Sequence, residues 1–338
     1  MSAIGQHVHC RGALALFMVL TPPAYTESDS GHIQLSCWSG TGENMSTPPR
    51  LVLSARTLPR ITASTLLENK RLGRPITALT AYDYPTARLV DEAGIDLLLV
   101  GDSLAMTVLG YDTTLPVTLD EMLHHARAVA RAARRCLLVA DMPYGTYHVS
   151  LEQATENALR FIKEAGMAAV KIEGGIEQAP LVKKLTRAEV PVVGHIGLTP
   201  QSLHRMGGYR VQGKTPEAIH QLLRDAEALE AAGAIAIVLE GIPRELAARI
   251  TSALTIPTIG IGAGPDCDGQ ILVFHDLFNL TFSQHPRFVR PQADAATLFR
   301  DGLVRYRDEV VSRSFPSDAE SYHLPPELNH EPALTLIK

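Results

Sequence analysis

The chain has 338 residues, of which 46% are hydrophobic, 20% charged and 5% aromatic, a composition that excludes a disordered or fibrous protein. Lys and Arg total 31 against 36 Asp and Glu, and the net charge of -5 leaves no positive field with which to hold a phosphate backbone, so nucleic acid is not expected as a partner. The four cysteines, Cys10, Cys37, Cys136 and Cys267, are far apart and form no CxxC pair, which argues against a disulfide framework or a zinc site and suits a reducing cytoplasm.

Residues 1–56 show neither helical nor strand periodicity and carry the Ser/Gly/Thr-rich run 36–47. Their one apolar run, 13–20, is far shorter than the ~20 residues that span a bilayer, and its thin positive flank makes a poor signal peptide. We read this stretch as an unstructured extension. Either Met45 is the true start and residues 1–44 come from an over-extended gene, or they form a flexible arm. From Arg60 the chain becomes regular, with a catalytic unit expected over 57–325 and a tail over 326–338.

Within the regular part, short aliphatic runs alternate with longer amphipathic stretches, the pattern of a parallel sheet covered by helices. Strands are expected at 76–81, 95–100, 136–140, 168–172, 191–194, 235–239 and 256–260, with a weaker eighth at 287–290. Helices are expected at 85–93, 118–133, 151–165, 176–188, 216–232, 243–253 and 294–311. Several end in Ala-Gly, where glycine adopts the left-handed cap. This repetition fits a (β/α)8 barrel, with a doubly wound open sheet as the alternative, since periodicity does not say whether a sheet closes. On the helix 216–232, Leu222, Ala226 and Leu229 would serve either packing against the barrel or an interface.

Ionisable residues stand where the strands end. Residues 95–100 lead into Gly101-Asp102-Ser103 and 136–140 into Asp141; 168–172 carry Lys171 and lead to Glu173; 191–194 lead to His195 and 235–239 to Glu240. In a closed sheet these exits form one rim, the place where (β/α)8 enzymes keep their chemistry. Lys171 and Glu173 are alternate residues and point to the same face of a strand. Asp102, Asp141 and Glu173 are hard oxygen donors with no cysteine beside them, which suits Mg²⁺. A 2-oxo acid would chelate such an ion through its carboxylate and ketone. Any one of these residues alone reads as a polar strand end or a helix cap; their convergence reads as a site.

The strings Gly101-Asp102-Ser103-Leu104, Leu138-Val139-Ala140-Asp141-Met142-Pro143, Val170-Lys171-Ile172-Glu173-Gly174-Gly175, Gly194-His195-Ile196-Gly197-Leu198-Thr199-Pro200-Gln201, Gly207-Gly208-Tyr209 and Gly260-Ile261-Gly262-Ala263-Gly264 resemble the ketopantoate hydroxymethyltransferase (3-methyl-2-oxobutanoate hydroxymethyltransferase) family. They follow that family's order and spacing from about Thr62 to about Leu324. The resemblance implies a (β/α)8 barrel of the phosphoenolpyruvate/pyruvate type. Such a barrel transfers the one-carbon unit of 5,10-methylenetetrahydrofolate to 3-methyl-2-oxobutanoate, through a Mg²⁺-stabilised enolate, giving 2-dehydropantoate on the route to pantothenate and coenzyme A. It also implies a homodecamer of stacked pentameric rings.

By the same resemblance Asp102 and Asp141 bind Mg²⁺ with Glu173 in its coordination sphere, and Ser103 and Lys171 contact the oxo acid alongside the two aspartates. Glu240 is then the base that takes the C3 proton, and the enolate attacks the methylene carbon after the folate ring opens to an iminium. His195 either helps protonate the departing folate nitrogen or is a structural residue bonded to a backbone carbonyl. Two segments depart from the family pattern, Tyr144-Gly145-Thr146-Tyr147 and 277–286, and neither is expected to touch a site residue. The Gly260, Gly262, Gly264 run reads as a loop packed against the folate or as simple turn geometry, in preference to a phosphate cradle. Arg131, Arg134 and Arg135 read as a solvated helix end. A different Mg²⁺ enolate enzyme on this scaffold, of the isocitrate lyase or phosphoenolpyruvate mutase kind, would need a cysteine loop or a phosphonate site, and neither Cys136 nor Cys267 lies in such a motif. A non-catalytic relative is disfavoured by the presence of Glu240 and Lys171.

Overall fold

The computed structural model of the chain describes residues 59–282 and 284–328. The expectations for residues 1–56 and for most of the 326–338 tail fall outside the described residues. In chain order the elements are α1 Ala63–Arg71, β1 Ile76–Thr80, α2 Tyr84–Glu92, β2 Leu97–Val100, α3 Leu104–Thr107, α4 Leu119–Ala132, β3 Leu137–Asp141, α5 Leu151–Ala165 and β4 Ala169–Glu173. They continue with α6 Ala179–Arg187, β5 Val192–Gly197, α7 Leu203–Met206, α8 Pro216–Ala232, β6 Ala236–Glu240, α9 Arg244–Ala253, β7 Thr258–Ile261, β8 Gly269–Leu272, α10 Phe274–Leu277 and α11 Ala295–Val311. All neighbouring strands are parallel, and β8 pairs with β1 to close an eight-stranded barrel, which settles the choice against an open sheet.

The strands read as unbroken apolar runs because both faces are covered. Inward-facing Ala78, Leu97, Leu99, Val139, Ala169, Val193, Val238 and Ile259 fill the barrel, and Ile61 and Leu66 join them from α1 and the segment before it. The outward faces pack against helix stripes that include Phe161, Leu185 and Leu229, in a second, larger cluster. Full burial of one such side chain is worth about 1.5–3 kcal/mol. Leu222, Ala226 and Leu229 all lie in that cluster, so on α8 they serve packing of the barrel.

The helices begin where side chains can accept orphan N–H groups. Asp83, Thr118, Ser150 and Thr215 cap α2, α4, α5 and α8, and Thr118 forms a reciprocal box with Glu121. Gly166 and Gly233 end α5 and α8 in the left-handed conformation, as their Ala-Gly endings predict.

The eighth strand is a correction. It is Gly269–Leu272, not 287–290, and the latter residues lie in a turn and the irregular chain after it, outside the sheet. A Cβ on Gly269 would lie 2.5 Å from Ile76 O, so only glycine lets β8 start this close to β1. The arginine cluster is a second correction: Arg135 is not solvated. Its Nη1 donates to Gly94 O and Ile95 O at 2.9 and 2.7 Å, and its Nη2 pairs with Asp96 at 2.9 Å.

Candidate active site

Five strand exits bring the predicted side chains together at the carboxyl-terminal mouth. The Asp102 backbone N–H, just past β2, donates to Asp141 Oδ2 at 3.0 Å, which ties the two aspartates to each other. Lys171 Nζ lies 2.8 Å from Asp141 Oδ1, an ion pair whose angles fall short of a hydrogen bond, and 4.0 Å from Glu173 Oε1. His195 is the register partner of Glu173 on β5. Its Nδ1 is 3.2 Å from Lys171 Nζ and 3.4 Å from Glu173 Oε1, and its Nε2 is 3.3 Å from Glu240 Oε2. The imidazole therefore stands between the lysine and Glu240, not on a backbone carbonyl. Lys171 is 5% exposed and Asp102 3%, whereas the Glu240 side chain keeps 16% of its surface open to the mouth.

Burial sets the electrostatics of this group. Loss of solvent, and then the nearby Asp141 and Glu173 charges, hold the Asp102 carboxyl well above the usual carboxylate range, and burial also raises Asp141 despite Lys171. Burial works to raise Glu173 as well, but His195, Lys171 and the Gln201 N–H outweigh it and lower the group. The Lys171 ammonium is held in its charged form by Asp141, Glu173 and Asp102 against the cost of burial. For His195, burial and the Lys171 charge oppose protonation, yet the carboxylates on its two nitrogens prevail and bring it to about 9.

Three contributors escaped the sequence reading. Gln201 is buried and donates from Nε2 to Asp102 Oδ2 at 2.9 Å and to Met142 O at 3.0 Å, while its backbone N–H donates to Glu173 Oε2 at 2.9 Å. Its Oε1 accepts from the Tyr147 hydroxyl at 2.6 Å. The expectation that the Tyr144 to Tyr147 departure touches no site residue is wrong, because Tyr147 Oη also accepts the Glu173 backbone N–H at 3.2 Å. Tyr82 is fully buried with its hydroxyl 2.8 Å from Ser103 Oγ, and burial pushes its phenol up to about 12, so it stays protonated. The only signal for Gln201 was its place at the end of a long motif; the tyrosines gave none.

The donors near Asp102 are all oxygen, with no thiol. Cys136 lies at the opposite rim with its Sγ 3.0 Å from Ile95 O, and burial raises its thiol. No three His, Cys, Asp or Glu side chains among the described residues converge tightly enough to chelate an ion unaided. Mg²⁺ ordinarily takes one or two carboxylates and completes its octahedron with water or substrate oxygen, so the Asp102–Asp141 pair fits it. The unfavourable burial of these two carboxylates is what a divalent cation would relieve.

A protein that needed only stability would not bury so many carboxylates around one ammonium at a barrel mouth, and the chain is accordingly an enzyme of the (β/α)8 class. The family described as Ketopantoate hydroxymethyltransferase matches residues 60–318. The 3-methyl-2-oxobutanoate hydroxymethyltransferase of Koribacter versatilis (strain Ellin345) is 65% identical over 268 residues, 79% of this chain and 91% of that protein. The enzyme of the same name from Thermoanaerobacter sp. (strain X514) is 53% identical over 265 residues, 78% and 97% of the two chains. Among solved structures, a phosphonopyruvate hydrolase complex with oxalate and Mg²⁺ has a TM-score of 0.50 at 16% identity, covering 78% of this chain and 92% of that one. An oxaloacetate acetylhydrolase has a TM-score of 0.50 at 19% identity, covering 74% and 88%. These two share the fold. The chain belongs to the ketopantoate hydroxymethyltransferase family, and its activity is that of a 3-methyl-2-oxobutanoate hydroxymethyltransferase, an enzyme of pantothenate synthesis.

Proposed function

We propose that the one-carbon donor is 5,10-methylenetetrahydrofolate and that the reaction proceeds through the enolate of 3-methyl-2-oxobutanoate, with Mg²⁺ held by Asp102 and Asp141 and Glu173 in its sphere. The observation that carries this reading is the ion pair of buried Asp141 with Lys171 on one side of His195 and the more open Glu240 on the other. Bound there, the ion would withdraw density from the ketone and acidify C3.

The chain's own groups supply the rest. Lys171 fixes a positive charge beside Asp141, where it stabilises negative charge developing on the oxo-acid oxygen. Ser103 contacts the oxo acid, its hydroxyl oriented by Tyr82. Glu240 takes the proton from C3, a role worth roughly 10² to 10⁴ in rate. His195, 3.3 Å from Glu240, positions that carboxylate and can pass a proton toward the departing folate nitrogen. Overall, the oxo acid, methylenetetrahydrofolate and one water give 2-dehydropantoate and tetrahydrofolate. The new C–C bond forms at C3, the carbon–nitrogen bonds to the folate break, and water supplies the product hydroxyl.

Among the described residues no helix is long and apolar enough to cross a membrane. A cytoplasmic homodecamer is part of the proposal, supported by α11, which buries none of its residues and leaves Leu298 and Leu303 64% and 68% exposed. Sedimentation at micromolar concentration should give an assembly, and a monomer alone would count against it. The function itself is tested by incubating the protein with oxo acid, methylenetetrahydrofolate and Mg²⁺ and following 2-dehydropantoate. Product should depend on all three, and formation without folate would overturn the donor assignment.

A further inference from the structure

A chain of hydrogen bonds joins the β4 exit to the β2 exit, and donor chemistry fixes its direction. The β3–β4 register ends at Asp141 and Lys171, and two residues further on the Glu173 N–H, which can only donate, goes to Tyr147 Oη at 3.2 Å. The phenol proton has two acceptors in reach, Gln201 Oε1 at 2.6 Å and Glu173 O at 3.4 Å, and the shorter contact takes it. That leaves the Gln201 amide nitrogen for Met142 O at 3.0 Å and Asp102 Oδ2 at 2.9 Å; a reversed carboxamide would set its oxygen against the Met142 carbonyl. The Gln201 backbone N–H returns to Glu173 Oε2 at 2.9 Å and closes a ring.

The local sequence holds the tyrosine in place. After β3 a turn is tied by the Thr146 N–H and Oγ1, which donate to Pro143 O at 3.1 and 2.6 Å, and Asn157 of α5 donates from Nδ2 to Thr146 O at 2.7 Å. The Tyr147 ring packs on His148 with 4.1 Å between ring centres, and His148 Nδ1 accepts the Gly145 N–H at 3.2 Å. Tyr147 is buried, and burial with the nearby Glu173 charge holds its phenol well above the ordinary value, so the proton stays on the oxygen. We infer that Tyr147 is a positioning residue: by holding the Glu173 main chain and the Gln201 carboxamide together, it fixes the spacing of Asp102 and Glu173 that receives the oxo acid and its ion. The inference rests on the metal reading given above and adds to it a group that touches neither ion nor substrate.

Calorimetric titration with oxo acid, with and without Mg²⁺, tests it in Tyr147→Phe, Gln201→Ala and the double variant. Tyr147→Phe keeps the ring and removes one hydroxyl, and it should weaken Mg²⁺-dependent oxo-acid binding by roughly tenfold. Because the hydroxyl acts through Gln201, the same change made in Gln201→Ala should cost no more than about threefold further. A residue that only fills space would give one factor in both backgrounds. The loss should also appear in the oxo-acid concentration that half-saturates C3 proton exchange more than in the limiting rate of that exchange. If thermal melts show that Tyr147→Phe does not fold, Asn157→Ala frees the turn while keeping the hydroxyl, and it should weaken binding in the wild-type background but not in Gln201→Ala. Unchanged affinity in a folded Tyr147→Phe, or the full loss in both backgrounds, would overturn the inference alone. A wild type with no Mg²⁺-dependent oxo-acid binding would overturn the metal reading and the inference with it.

Discussion

The two rims of the barrel bury the same kinds of charge and use them in opposite ways. At the amino-terminal rim Asp91 accepts the backbone N–H groups of Arg134, Arg135 and Cys136 at 2.8–2.9 Å. Lys70 there donates to Thr251 O and pairs with Asp268, which accepts the Thr258 N–H. At the carboxyl-terminal rim four carboxylates gather around Lys171 and His195 with few backbone donors among them. Asp91 and Asp102 are 4% and 3% exposed, yet their acidities move apart. Burial works to raise both, but the N–H groups of Cys136, Arg134 and Arg135 hold Asp91 below its ordinary value, while Asp141 and Glu173 drive Asp102 further up. A buried charge met by fixed donors stabilises the fold; one met by other carboxylates is held ready for a cation or a substrate.

If that distinction is right, Asp102→Asn and Asp141→Asn should abolish Mg²⁺-dependent binding of the oxo acid. Because the Asp102 carboxyl is raised, its charged form costs the metal-free fold stability at neutral pH, so Asp102→Asn should melt no lower than wild type. Calorimetry with and without Mg²⁺, together with thermal melts, checks both halves; retained metal-dependent affinity would break the comparison.

Gln201 sharpens it, since this one side chain supplies the Asp102 carboxylate with a donor. Gln201→Ala should weaken metal-dependent oxo-acid binding by roughly 10- to 100-fold, the usual cost of removing an outer partner of a ligand. An unchanged titration would mean that Asp102 needs no orienting group.

Asp91→Asn should do the reverse, lowering unfolding free energy by about 1–3 kcal/mol with turnover intact. The lowered Asp91 pKa contributes stability that is complete above the unfolded value of about 3.9 and is lost as pH falls through the folded value. The gap between wild type and Asp91→Asn in denaturant titrations should therefore close in acid below about pH 4. The smallest effect is expected at Thr118, a polar residue that caps α4 and touches no site group. Thr118→Ala should cost roughly 0.5–2 kcal/mol in melts and nothing in turnover.

What was legible in the sequence follows the same division. An aliphatic run ending in Asp, Lys, His or Glu marks a strand exit by type alone, so Asp102, Asp141, Lys171, Glu173, His195 and Glu240 could be named before their convergence was known. Helices with a cap and a glycine stop were equally plain, and α5 and α8 have the predicted bounds. α1 was not anticipated, because Leu66 is its one buried residue and its capping box uses Thr65 in place of the usual Glu or Gln. β8 has four residues, one of them glycine and one an exposed glutamine, too little pattern to outweigh the aromatic and branched residues at 287–290. Gln201, Tyr82 and Tyr147 are neutral, and their part in the site comes only from contacts that the closed barrel creates.

The claim on which the account depends is that Glu240 takes the C3 proton while the aspartates hold the ion. Glu240→Gln keeps the shape and removes the base. Exchange of the C3 proton of 3-methyl-2-oxobutanoate with D₂O, followed by NMR with Mg²⁺ and no folate, isolates that step from the transfer. The wild type should exchange, and Glu240→Gln should exchange slower by roughly 10² or more while still binding oxo acid and Mg²⁺. Exchange by Glu240→Gln at the wild-type rate would contradict the account and move the base to His195 or to a group outside the chain.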